Sequence, residues 1–325
     1  MEIERVTVAF LFPGQASQYV GMGRDLYDRI PEVSGLYEQA SILLGFDIAR
    51  LSFEGPAESL RQTAYTQPAI LVHSVAAARV LVTRGLRPAF VAGHSLGEYS
   101  ALVVAGSLDF SEAVRLVRLR GTLMQQAGER RPGTMAALIG LSAEDVECVC
   151  REAATAEEPV QPANFNSPDQ IAIAGAVPAV RRAMGLAKAA GAKRVIELEV
   201  SGAFHSVLMA RARDGLADAI TDTPMRPCGV PLIANVTAQP VSDPLDIRRL
   251  LIEQVTSPVQ WAASMQTLAR LGADVFVEVG PGTVLRGLMK RILKDARTLN
   301  ADTLKQIEQV VAELVCGDSG KKSPS

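Results

Sequence analysis

The apolar run Phe90-Val-Ala92 ends in Gly93-His94-Ser95-Leu96-Gly97 and passes without a linker into the helix-forming run Glu98-Tyr-Ser-Ala-Leu102. No other stretch constrains the chain as much as this G-x-S-x-G pattern. Glycines two places before and two places after the serine leave room for a strained strand-to-helix turn whose backbone would otherwise clash. Such a turn lifts the serine hydroxyl to a helix N-terminus, where unpaired N–H groups and the positive end of the dipole favour developing negative charge. Ser95 is therefore a candidate nucleophile, with an ordinary glycine-rich turn as the plainer reading of the same five residues.

The remaining pattern alternates strands and helices. Val6–Phe12 is a near-continuous apolar run closed by Pro13-Gly14, which reads as a strand buried on both faces, as in a parallel sheet. Gln15 follows just beyond its C-terminal end, where open α/β sheets bind ligands, although a solvated loop glutamine fits the position as well. Helices are predicted over about 23–44 and 68–84, and His73 in the second reads as a structural core histidine. From about Gly133 to Val200 the order becomes βαββαβ. Strands are predicted at Thr134–Gly140, Val160–Phe165, Gln170–Ala174 and Lys193–Val200, and helices at Ser142–Ala154 and Val177–Ala190. That is the order of a ferredoxin-like unit, with Asn164 and Asn166 serving turn chemistry. Val230–Val236 and Val275–Val279 read as further strands, with helices at Asp246–Val255 and from Gly280-Pro-Gly282 to near Leu293. Gly282 and Gly287 have the spacing of a phosphate loop, but Leu288 stands where the lysine belongs, which excludes one. The predicted fold is α/β: a hydrolase-like parallel-sheet domain formed by 1–130 and 200–295, an inserted ferredoxin-like subdomain at 131–199, and a partly disordered tail at 296–325.

Charge and cysteine usage exclude several classes of function. A formal net charge of −2 on 325 residues gives no reason to expect nucleic acid or a membrane surface as partner. Met1–Arg5 leads straight into the first strand, and no stretch approaches the ~18 apolar residues of a membrane span. The four cysteines, Cys148, Cys150, Cys228 and Cys316, match neither a zinc site nor a disulfide framework, so a reducing cytoplasm is expected; a soluble protein follows from the missing span, and a monomer is the expected state.

Two further residues are conspicuous. The helix predicted from Asp109 to about Ala127 gathers Ala113, Leu116, Val117, Leu123 and Met124 on one arc, and Arg120 falls in the middle of it. A buried guanidinium needs a partner, so either an internal carboxylate or a bound anion should meet it; a planar fork clamping a carboxylate is the functional reading. A serine nucleophile also needs a base, and the chain has three histidines. His94 adjoins Ser95 and points away from it, whereas His205 follows the nucleophile in the order of hydrolase-type sites and is the best candidate. No orienting carboxylate is identifiable by spacing, and a backbone carbonyl is the alternative.

Together these stretches resemble the malonyl-CoA:acyl carrier protein transacylases of fatty acid synthesis and the closely similar malonyl-specific acyltransferases of polyketide synthases. The likeness covers about residues 6–293. It rests on Phe12-Pro-Gly-Gln15, Gly93-His-Ser-Leu-Gly-Glu-Tyr-Ser100, Arg120, Ala163-Asn-Phe-Asn-Ser-Pro168, Gly202-Ala-Phe-His205, Ser257-Pro-Val-Gln-Trp261 and Glu278-Val-Gly-Pro-Gly282. The resemblance implies a malonyl-Ser95 ester formed with His205 as base, an oxyanion hole from the backbone N–H groups of Gln15 and Leu96, and Arg120 on the malonyl carboxylate. It further implies that the Gln260 main-chain carbonyl orients His205, that malonyl-CoA and an acyl carrier protein are the partners, and that no cofactor or metal is used. Lys193, Arg194, Arg286, Lys290 and Arg291 match basic positions that resemble the family's docking surface for an acidic carrier; solvated ends of helices and strands are the other reading. Ala16 departs from the family's usual glycine. The rival readings are an acyl hydrolase and a non-catalytic carrier-binding protein; Arg120 argues against the first, and intact Ser95 and His205 against the second.

Overall fold

The structure, a computed structural model, describes residues 6–316. Among the described residues ten strands run in chain order: β1 Val8–Phe12, β2 Phe90–Gly93, β3 Gly133–Ile139, β4 Val160–Ser167, β5 Gln170–Ala176, β6 Arg194–Leu198, β7 Leu232–Ile233, β8 Pro240–Val241, β9 Val275–Val279 and β10 Arg297–Ala301. They form two sheets. The larger has the order β10-β9-β1-β2-β7-β8, parallel except for the edge hairpin β7–β8, and the smaller is antiparallel with the order β4-β5-β3-β6. The smaller sheet and its two helices, Ala143–Ala153 and Val177–Ala189, reproduce the predicted βαββαβ order and have a core of their own around Leu138, Val146, Ile173 and Val180.

β1 and β9 are fully buried because helices cover both faces of the large sheet, which explains their unbroken apolar sequences. One face packs Phe10, Phe12, Val91 and Val277 against the long helices Thr63–Thr83 and Phe110–Arg130, while the other packs Leu11, Ala92 and Phe276 around Trp261. In the helix Phe110–Arg130 the predicted apolar arc is the buried one.

Several boundaries differ from those expected, each for a local reason. The helical stretch 23–44 breaks into Arg24–Arg29 and Pro31–Leu44, because Ile30 precedes a proline and is extended. The next helix begins at Thr63 instead of Pro68 and carries the proline in its interior. Pro68 has no N–H for the Ala64 carbonyl, and Arg118 Nη1 donates to that carbonyl instead, at 2.6 Å. The largest correction concerns residues 296–316, which fall within the expected tail. Arg297–Ala301 is β10, paired in parallel with β9, and Leu304–Val311 is a helix that buries Leu304, Ile307 and Val310. Short and amphipathic, these elements lack the long apolar run that marks the central strands. Residues 317–325, also read as tail, and Met1–Arg5 lie outside the described residues.

Candidate active site

The site starts where β1 and β2 end side by side, with Phe12 in register with Gly93 and the His94 N–H donating to the Phe12 carbonyl at 2.9 Å. The two glycines are required by contact. A Cβ on Gly93 would lie 1.9 Å from the Gly97 carbonyl carbon, and one on Gly97 would lie 2.1 Å from the Phe12 oxygen. Between them Ser95 has φ 53°, the strained left-handed conformation of a nucleophile turn. Asn235, just after β7, staples this turn: its Oδ1 accepts the Ser95 N–H at 2.7 Å and its Nδ2 donates to the Gly93 carbonyl at 2.6 Å.

His205 Nε2 is 2.7 Å from Ser95 Oγ, and His205 Nδ1 is 2.9 Å from the Gln254 carbonyl oxygen. A carbonyl only accepts, so Nδ1 carries the proton and the Nε2 lone pair faces the serine hydroxyl. Burial, reinforced by the charge on Arg120, pushes the imidazole down to about 3 and keeps it neutral. The carbonyl that holds His205 therefore belongs to Gln254 and not to the expected Gln260. The Gln260 carbonyl instead accepts from Ser264 N and Ser264 Oγ in the first turn of the helix Trp261–Arg270, and its N–H donates to Asn235 O. Gln254 ends the helix Pro244–Gln254, where the last carbonyls have no intrahelical partner and are free to receive the imidazole.

Arg120 is 1% exposed. Its Nη1 donates to Gln67 Oε1 at 2.8 Å, and its Nη2 to Gln254 Oε1 at 2.9 Å and to Ser95 Oγ at 3.0 Å, while the Tyr99 ring lies beneath it. Among the described residues no carboxylate forms an ion pair with the guanidinium, and its buried Nε has no partner. Glu98 is the nearest acid in the network, reached through Gln254: the Gln254 Nε2 donates to its Oε2 and the Asn235 N–H to its Oε1. Burial raises the Glu98 carboxyl to about 7 against the pull of those donors and of Arg120.

These groups open onto a pocket of about 500 Å³ between the two sheets. Gln15, His94, Ser95, Leu96, Arg120 and His205 line it from the large domain, and Asn164, Asn166 and Leu198 from the small one. Asn166 thus does more than form a turn, since its Oδ1 meets His94 Nε2 at 2.8 Å. Gln15 sits in the loop after β1 with its side chain tied to Thr63 Oγ1 at 3.1 Å, and Leu96 is the N-cap of the helix Gly97–Val104. Next to Gln15, Ala16 takes φ 80°, a left-handed conformation that favours glycine. His73 is a fully buried core residue outside the pocket lining, bonded to Asp302 at 2.8 Å.

The five basic residues are all exposed, Lys193 and Arg194 at the start of β6, and Arg286, Lys290 and Arg291 on the helix Val284–Ile292. Arg291 pairs with Asp169 at 3.3 Å, the Asp169 carbonyl accepts the Gly140 N–H, and Gly140 packs on Lys193, so these groups border one edge. Buried Glu278 accepts the Leu285 and Arg286 N–H groups and anchors the start of that helix. Sequence reasoning missed Gln67, Glu98, Asn235 and Gln254. Only Glu98 carried a signal, as a carboxylate one turn beyond the nucleophile in an otherwise apolar run. Among the described residues no cluster of His, Cys, Asp or Glu has the arrangement of a metal site, and no helix is long and apolar enough to cross a membrane.

A profile described as the acyl transferase domain matches residues 9–312. The chain is 43% identical over 307 residues to a malonyl CoA-acyl carrier protein transacylase of Bacillus subtilis, spanning 94% of this chain and 97% of that one. It is 46% identical to the protein of the same name from Escherichia coli K12, over 94% and 98% of the two chains. Among solved structures, the malonyl CoA-acyl carrier protein transacylase of Coxiella burnetii superposes with a TM-score of 0.93 at 41% identity, over 97% and 99% of the chains. A malonyl-transacylase solved in complex with a type II polyketide synthase acyl-carrier protein superposes with a TM-score of 0.91 at 41% identity, over 94% and 99%.

Proposed function

The chain belongs to the acyl transferase family, and from that membership we propose that it moves a malonyl group from malonyl-CoA to the phosphopantetheine thiol of an acyl carrier protein. The reaction runs in two halves through a malonyl-Ser95 ester. As Ser95 Oγ attacks the thioester carbonyl, its proton passes to His205 Nε2, and the imidazolium then protonates the departing CoA sulfur. In the second half the carrier thiol gives its proton to His205 and attacks the ester, and Ser95 leaves as the alcohol. The Gln254 carbonyl holds the imidazole in the tautomer both halves require.

The backbone N–H groups of Gln15 and Leu96 bind the oxyanion of each tetrahedral intermediate; removing a single such donor typically costs roughly 3 kcal/mol. One observation carries the choice of acyl group: a buried guanidinium without a carboxylate partner stands 3.0 Å from the nucleophile. Arg120 supplies there the planar fork that a malonyl carboxylate needs. Lys193, Arg194, Arg286, Lys290 and Arg291, all exposed, meet the acidic carrier. The chemistry balances with malonyl-CoA and the carrier alone, so the enzyme uses no cofactor. It works as a cytoplasmic monomer, and the spacing of its cysteines, which matches no disulfide framework, supports the reducing compartment.

The test is an intact mass spectrum after mixing with malonyl-CoA, then with a phosphopantetheinylated carrier, beside Ser95→Ala and Arg120→Ala. The expected result is a malonyl adduct that requires Ser95, is weakened at least tenfold without Arg120, corresponding to a loss of about 1.4 kcal/mol or more, and moves to the carrier. No adduct on the parent protein, or an adduct released only as free malonate, would sink the reading.

A further inference from the structure

We infer that Glu98 is a positioning residue for acyl selection: its carboxylate fixes which way the Gln254 amide faces and thereby keeps an acceptor on Arg120. The inference rests on the transacylase reading above. Glu98 is 2% exposed, on the helix that begins after the nucleophile. Both its oxygens face N–H donors, Oε1 the Asn235 N–H at 3.2 Å and Oε2 Gln254 Nε2, so both are called on as acceptors, and the ionised form, which can only accept, is the one that fits them.

The consequence follows from what an amide can offer. Gln254 Nε2 also donates to the Ser95 carbonyl at 3.0 Å, so two acceptors lie on its nitrogen side and Oε1 is left facing Arg120 Nη2 at 2.9 Å. With the amide reversed, Oε1 would face the Glu98 carboxylate and the Ser95 carbonyl, and the NH₂ group would face the guanidinium donors. Glu98 makes that reversed state costly. Arg120 Nη2 is then held between Gln254 Oε1 and Ser95 Oγ, its fork aimed at the acyl group on the serine. The Gln254 carbonyl that holds His205 is main chain and does not turn with the amide. Disturbing Glu98 therefore acts on recognition of the acyl carboxylate and leaves the serine–histidine pair in place.

Glu98→Gln separates these effects, because the backbone Asn235 N–H is a fixed donor that claims the oxygen of the introduced amide and leaves its NH₂ facing Gln254 Nε2. The amide of Gln254 is then released or reversed. Loading of the protein by malonyl-CoA and by acetyl-CoA, followed by intact mass at varied concentration, gives KM and kcat for each acyl group. For Glu98→Gln, KM for malonyl-CoA should rise about tenfold with kcat changed less than about threefold, and acetyl loading should hold or rise. Glu98→Asp, still acceptor-only, should recover part of the malonyl preference. Gln254→Met, which keeps the carbonyl and deletes the amide, should raise KM for malonyl-CoA by a similar factor, and adding Glu98→Gln to it should raise that KM no further. Equal loss of malonyl and acetyl loading, an unchanged malonyl KM, or additive costs in the double variant would overturn the proposal. Should Glu98→Gln not fold, Gln254→Met with an unchanged malonyl KM overturns it alone. A parent protein that takes no malonyl defeats the transacylase reading instead.

Discussion

On Ser95 Oγ two interactions meet: the hydroxyl donates to His205 Nε2, and Arg120 Nη2 donates to the oxygen. The imidazole can serve this arrangement only while neutral, and its burial beside Arg120 secures that. The same burial has a measurable cost in acid. In the unfolded chain a histidine takes up its proton near 6.5, whereas folded His205 resists protonation down to about 3. Between those values the unfolded state binds more protons, so the contribution of His205 to stability is complete above about 6.5 and is lost progressively as the pH falls toward 3. Glu98 and Glu278, each raised to about 7, run the other way, favouring the fold below their unfolded values and losing that contribution as pH rises through 7. The two glutamates are common to parent and variant, so a comparison isolates the histidine. Melting temperatures of His205→Asn should fall less between pH 6.5 and pH 4 than those of the parent; parallel curves would refute the assignment.

At the scale of elements, the helix Thr63–Thr83 shows how a tertiary contact changes a boundary. Pro68 ordinarily opens or breaks a helix, yet here the helix runs through it because Arg118 reaches across from the helix Phe110–Arg130 to the freed Ala64 carbonyl. Leaving that carbonyl unmet should cost about 1–3 kcal/mol. Arg118→Ala is therefore expected to destabilise the protein by about that amount, plus the loss of its stacking on Phe46 and Tyr65. Pro68→Ala restores an N–H at the right place in the helix. In that background Arg118→Ala should cost about 1 kcal/mol less, read from denaturant midpoints of the four proteins. Additive effects would mean that the proline and the arginine are unrelated. This contact also concerns the site, because Gln67 is the residue before Pro68 and accepts from Arg120 Nη1.

For the molecule as a whole, the C-terminal segment closes the large sheet and ties it to the interior. Asp302, directly after β10, accepts from Tyr19 OH and the Gly282 N–H and bonds His73 Nε2, joining four distant stretches of chain. The Gly282 contact lies just before the helix Val284–Ile292, which lines the pocket with Val284, Leu285 and Leu288. Asp302→Ala should lower stability by about 2–4 kcal/mol, since it leaves several buried groups unpaired. The melting temperature should drop by several degrees while Ser95 remains able to take an acyl group at low temperature. A variant as stable as the parent would show that Asp302 is not the tie described.

What the sequence determined by itself is what short-range pattern and steric necessity encode. Gly93 and Gly97 flank Ser95 because a Cβ at either would strike backbone, so the turn, its serine and the adjoining strand and helix were legible from five residues. The βαββαβ order and the misplaced charge of Arg120 were legible for the same reason, as periodicity and its violation. Scarcity of histidine brought His205 to the serine. Tertiary structure alone decided the rest: that Gln254 and not Gln260 turns a free helix-end carbonyl to the imidazole, that Glu98, Asn235 and Gln67 complete the network, and that 297–301 belongs to the sheet. Each of these depends on a contact between residues far apart in the chain, where no local repeat, propensity or spacing records which partner will arrive.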